Sequence, residues 1–163
     1  MQAEDVYLEV LREFVQIVGA DAAALASGSE VSFEFDGMLA FVFFHPNEDA
    51  VVVDVEILQL HNLHQEPANL DRLLLLHQLN SITRFTHGAT AHVSVDDMLL
   101  LRTGLPGRGL SGRALAEGVG QMLDTASDLR AAWSDLRSLI RQAGQSVEAS
   151  AASPVVPMMH SLA

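Results

Sequence analysis

At 163 residues the chain has the length of one domain, and its 49% hydrophobic and 18% charged composition is that of a chain that folds. A formal charge of -12, with every basic residue an arginine, disfavours phosphate backbones and anionic lipid surfaces, and no apolar run reaches the roughly 20 residues of a bilayer span. The absence of cysteine removes disulfides, thiolate catalysis and Cys-based zinc sites, and the acidic start lacks the positive charge of a secretory signal, so a cytoplasmic protein with neither nucleic-acid binding nor membrane insertion is expected.

From Glu4 to Val18, apolar residues recur at Tyr7, Val10, Leu11, Phe14, Ile17 and Val18, one stripe of a helix that stops before Gly19. After a small-residue stretch, VSFEF alternates and Asp36-Gly37 separates it from LAFVFF, the strongest short hairpin signal because both turn positions favour positive φ. HPNED turns the chain again into VVVDVEIL. These three runs predict an antiparallel meander.

The polar stretch from Gln59 to Asn69 leads into NLDRLLLLHQLNSI, whose leucines at 70, 73, 74, 75, 76 and 79 cover more than one side of a helix. Such a helix needs apolar partners on two sides, its own sheet and a second subunit, so a homodimer is expected. ATAHVSV and MLLLRT, joined at Asp96-Asp97, read as a second hairpin, and LPGRGLSG breaks the chain. Leu115, Val119, Met122, Ala126, Leu129, Trp133, Leu136 and Ile140 then form one seam of a long helix, which packs either across the domain's own sheet or in a dimeric coiled coil. The expected fold is α+β: helix, three-stranded meander, helix, hairpin, long helix. One domain over residues 1–141 and a disordered tail over 142–163 complete the organisation.

Chemistry is sparsely signalled. His61 and His64, or His87 and His92, place imidazoles a few residues apart, and Asp54 and Glu56 share a strand face with Glu34 near by. A metal-assisted hydrolase built on His61, His64, Asp54 and Glu56 is the enzyme reading, weighed against solvated loop and strand positions. The chain contains no HExxH, GxSxG, P-loop or GxGxxG, so no catalytic residues, metal or cofactor are expected. The unusual feature is LAFVFF, apolar toward both faces of its sheet, which calls for a covering partner such as an extended peptide.

That order of elements, with VYLEVLREFVQIVGAD opening the chain, EFDGMLAFVFF at the first hairpin and VSVDDMLLLRTGLP before the last helix, resembles class I type III secretion chaperones of the CesT-like family over residues 4–135. The resemblance implies a non-enzymatic homodimer that binds the N-terminal segment of one or more secreted effectors, keeps it extended and delivers it to the secretion ATPase. It assigns the dimer interface to Leu73, Leu74, Leu76, His77, Leu79 and Asn80, and effector contacts to Phe14, Val42, Phe44, Leu99 and Leu101. A regulatory protein of the same fold that sequesters a regulator or an export component is the alternative.

Overall fold

Asp36 and Gly37 take positive φ, 49° and 70°, as a two-residue turn between twisted antiparallel strands requires. The turn sets Phe35 opposite Met38 and so fixes the register of β1 (Glu30–Phe35) on β2 (Met38–His45). The structure, a computed structural model, describes residues 3–19, 30–45, 47–61, 67–82 and 86–151. β3 (Ala50–Gln59) pairs with β2, completing the expected meander. β4 (Thr90–Val93) and β5 (Met98–Pro106) form the second hairpin.

The two β units are one sheet. β5, the second strand of the hairpin, lies against β3, giving the antiparallel order β1-β2-β3-β5-β4. Helix α2 (Pro67–Asn80) belongs to the connection between β3 and β4, which carries the chain past the place that β5 later fills. β1 and β4 are therefore the two edges.

Because side chains alternate across a strand, one sheet face carries Val31, Met38, Ala40, Val42, Val53, Val55, Leu99 and Leu101, all buried. Helices α1 (Ala3–Val18) and α3 (Gly112–Ala132) cover it. Leu11, Phe14 and Val15 of α1 and Leu115, Val119, Met122 and Ala126 of α3 belong to the same cluster. Each of these Val, Leu, Phe and Met side chains contributes roughly 1.5–3 kcal/mol by leaving water. The seam read from the sequence thus packs within the subunit.

α1 and α3 meet closely at Gly112. A Cβ there would lie 2.5 Å from Glu13 Cβ and 2.7 Å from the Phe14 nitrogen, so only glycine permits this approach. The contact also caps α3: the Gly112 N–H donates to Glu13 Oε2 at 2.7 Å, and the Ala114 N–H donates to Ser111 Oγ at 3.1 Å.

The long C-terminal helix is interrupted. A short 3₁₀ turn at Trp133–Asp135 separates α3 from α4 (Leu136–Ala151). Asp135 restarts the helix by accepting from the Ser138 N–H at 3.3 Å, and hydrogen bonding from the Ser138 side chain, together with that backbone bond, holds its carboxyl below the ordinary range. Helical structure extends past residue 142, so the tail expected from that point is corrected at its start, and residues 152–163 lie outside the described residues.

Candidate protein-binding site

The two sheet edges end differently. At β4 the side chain of Asn80, the last residue of α2, stands in for a neighbouring strand: its Nδ2 donates to the Ala91 carbonyl at 2.7 Å, and its Oδ1 accepts from the Ala91 N–H at 2.8 Å. One side-chain amide thereby satisfies both backbone groups of a residue whose neighbours, Thr90 and His92, pair opposite Arg102 and Leu100 of β5. At β1 no strand or side chain does this among the described residues. In a hairpin closed by Asp36-Gly37, Phe35 and Met38 form the hydrogen-bonded pair, so alternation turns the N–H and C=O groups of Ser32 and Glu34 toward the open edge.

Beside that edge lies an apolar groove of about 430 Å³. Its floor and walls are Phe33 and Phe35 of β1, Val18 at the end of α1, and Ala116, Val119, Gly120 and Leu123 along one stripe of α3, with Glu34 at the rim. Phe35 is 49% exposed and Val18 44%, large apolar side chains that a finished core would have covered. Gly120 deepens the groove, because a Cβ built on it meets nothing within 4 Å. The far end is fixed by Arg130, whose Nη1 and Nη2 donate to the Asp36 carbonyl and carboxylate, each at 2.7 Å. An unpaired strand edge flanked by an apolar trough suits an extended peptide, with main-chain hydrogen bonds on one side and alternate side chains in the trough.

The residues assigned from the sequence divide. Phe14, Val42, Leu99 and Leu101 are fully buried between sheet and helices, so the expectation that they face a bound effector is corrected. Phe44 is half-buried and stacks on Tyr7 with ring centroids 4.9 Å apart. That burial pushes the Tyr7 phenol above its ordinary pKa, and the nearby Glu30 carboxylate adds to the shift. The even positions of β2, among them the Val42 and Phe44 that the resemblance assigned to effector contacts, form the core side, and Leu39, Phe41 and Phe43 point away from it. On α2, Leu76 and Leu79 are buried in the subunit, Leu73 is half-buried and Asn80 is bound to β4. Leu74 and His77 are exposed, and Leu74 forms an outward stripe with Leu70, the two being 67% and 59% exposed.

The groove residues of α3 were missed because only Val119 belongs to the helix seam that the apolar pattern makes conspicuous. The signal was Ala116, Gly120 and Leu123, spaced by four and three residues alongside it. Among the described residues, the proposed metal constellation is not assembled. Asp54 accepts two hydrogen bonds from Arg102, 2.7 Å from Nε and 2.6 Å from Nη2, and this bonding raises the Arg102 pKa further. His61 and His87 are exposed, His92 is half-buried and His64 lies outside the described residues. Among the described residues no group of three or more His, Cys, Asp or Glu side chains is placed to hold a metal ion, and no helix is long and apolar enough to cross a membrane.

The model of the Tir chaperone protein (CesT) family matches residues 9–130, three quarters of the chain, from the first helix through the groove-lining part of α3. The chain belongs to the CesT family. Its α+β fold is shared with type III secretion chaperones. The ExsC–ExsE complex matches with a TM-score of 0.60 at 14% identity, covering 80% of this chain and 93% of that one. The HopA1–SchA chaperone–effector complex matches at 0.61 and 12% identity, over 80% and 97%. The Yersinia pestis type III secretion chaperone SycH, in complex with a stable fragment of YscM2, matches at 0.53 and 20%, over 76% and 98%. At these identities the likeness is one of fold. No curated protein was matched by sequence. Within the CesT family fold of this chain, the groove and open β1 edge lie on the helix-covered side of the sheet.

Proposed function

We propose that this CesT-family protein is a homodimeric, non-enzymatic chaperone of the bacterial cytoplasm. It binds the N-terminal segment of a secreted effector, keeps it extended and hands it to the secretion ATPase. The observation that carries this reading is the groove lying beside an unpaired strand edge. An effector segment added to β1 gains backbone hydrogen bonds through Ser32 and Glu34 and buries alternate side chains against Phe33, Phe35 and Leu123. Held in this way it has no opportunity to form its own tertiary contacts. The subunits pair through the outward stripe of α2, Leu70 and Leu74 with His77, whose exposure is otherwise unexplained in a single subunit.

Size-exclusion chromatography with light scattering, run on the protein alone and with the N-terminal segment of a secreted protein encoded beside it, tests both parts. The expected mass is about 35 kDa, twice the 17.6 kDa chain, rising by the mass of the segment. Leu74→Asp leaves a folded monomer. Gly120→Leu leaves the dimer but fills the groove and abolishes capture of the segment. A wild-type monomer that takes up no such segment overturns the proposal.

A further inference from the structure

The helices α1 and α3 cover one sheet face; the opposite face carries a pattern of its own. Leu39, Phe41 and Phe43 form an apolar ladder along β2, with Leu39 37% exposed and both phenylalanines half-buried. The register flanks this ladder with acids. Glu34 on β1 and Glu56 on β3 lie on either side of Leu39, and Glu30 lies opposite Phe43. Asp54, opposite Phe41, is neutralised by Arg102, while the three glutamates have no ion pair among the described residues.

We propose that this face docks an amphipathic helix with basic flanks, supplied by a partner protein. An apolar centre rimmed by net negative charge, once Asp54 and Arg102 offset each other, has the anatomy of an interface. A second copy of this chain is the wrong occupant, because an isologous contact would set the same glutamates against one another in a protein that already carries -12. Charge complementarity requires lysine or arginine beside the apolar contacts. Backbone chemistry requires a helix: a strand laid flat over a sheet face leaves its own N–H and C=O groups unmet, whereas a helix satisfies them internally. The lengths agree as well. Leu39 to Phe43 spans about 14 Å, which a helix covers in about nine residues, enough for three apolar side chains over two turns. Except at Glu34, which the groove's rim shares, the surface lies on the other side of the sheet from the groove, so Phe41, Phe43 and Glu56 test it separately from capture of an extended segment.

The test uses the full-length protein and a fluorescent 18-residue peptide with a leucine stripe flanked by arginines, compared with a scrambled peptide of identical composition. Anisotropy should show the ordered peptide binding about tenfold more tightly than the scrambled one, with amide shifts on β1, β2 and β3. Phe41→Thr/Phe43→Thr, which keeps strand-forming residues, should weaken binding about tenfold. Glu34→Gln/Glu56→Gln should weaken it several-fold and flatten its salt dependence, and this pair carries the test if the threonine variant does not fold. Gly120→Leu should change nothing. Equal binding of the scrambled peptide, loss of binding in Gly120→Leu, unchanged binding in either face variant, or a halved mass for Phe41→Thr/Phe43→Thr without peptide would each overturn the proposal.

Discussion

The two edges of one sheet have opposite chemistry. β4 ends against Asn80, whose amide meets both backbone groups of Ala91, whereas β1 ends at a groove with Phe35 and Val18 half in solvent. Edge strands invite pairing, and folds commonly protect them. Here protection is selective. A single side chain at the end of α2 closes one edge, and the other is left with a trough of suitable depth beside it. On the proposed reading, the difference separates the edge that would accept a partner strand from the edge that would not.

The largest effect should come from the wall of the open side. Gly112→Ala forces α1 and α3 apart at Glu13 and Phe14, and urea denaturation should show a loss of about 3 kcal/mol. A variant as stable as the parent would mean that the helix crossing does not set the groove. The closed edge comes next. Asn80→Ala leaves the Ala91 N–H and carbonyl unmet and should lower stability by about 1–3 kcal/mol; a loss below a few tenths would remove the contrast between the edges. Gly120→Ala acts in the other direction. It enters open space on a helix and should raise stability by about 0.5–1 kcal/mol while narrowing the groove and weakening capture of an extended segment. Improved capture would show that the trough is not the contact.

The smallest effect concerns Tyr7, packed on Phe44 near Glu30. Burial raises its pKa above the ordinary value of 10.0, so its contribution to stability is complete below that pH and is lost as pH rises above it. Tyr7 is the one tyrosine in the sequence, so ultraviolet absorbance titration reads this group alone. Ionisation should lag behind that of an unfolded control, and Tyr7→Phe should flatten the alkaline limb of the stability profile. Coincident titration of the folded and unfolded chains would remove Tyr7 from the packed site.

Much of this architecture was legible where local chemistry has one solution. Asp36-Gly37 demands a hairpin, and the α3 seam demands an apolar partner, a sheet or a second helix, of which the structure supplies the sheet. Strand facing was not legible, because LAFVFF is apolar at both parities and either side of β2 reads as core. Only the packing of α1, with Tyr7 stacked on Phe44 and Phe14 tilted against Phe33 of β1, selects the even residues of β2 as the core face. The groove was hidden for a related reason. Gly120 reads locally as a weak helix position, and its use as empty space depends on β1 lying across from it. Asn80 looked like one more position on a leucine-rich helix until β4 was placed beside it. The break at Trp133–Asp135 rests on Asp135 capping Ser138, a local signal that the unbroken apolar spacing outweighed.

The Asn80 contact also limits what the molecule can become at high concentration. Had both edges been open, β1 of one copy could pair with β4 of the next, a head-to-tail contact that repeats without closing and grows into a fibre. With β4 occupied from within the subunit, that propagation has no receiving end. Pairing between two β1 edges is self-limiting and stops at two copies. An amide at the end of one helix thus removes the strand pairing through which copies of this chain would polymerise.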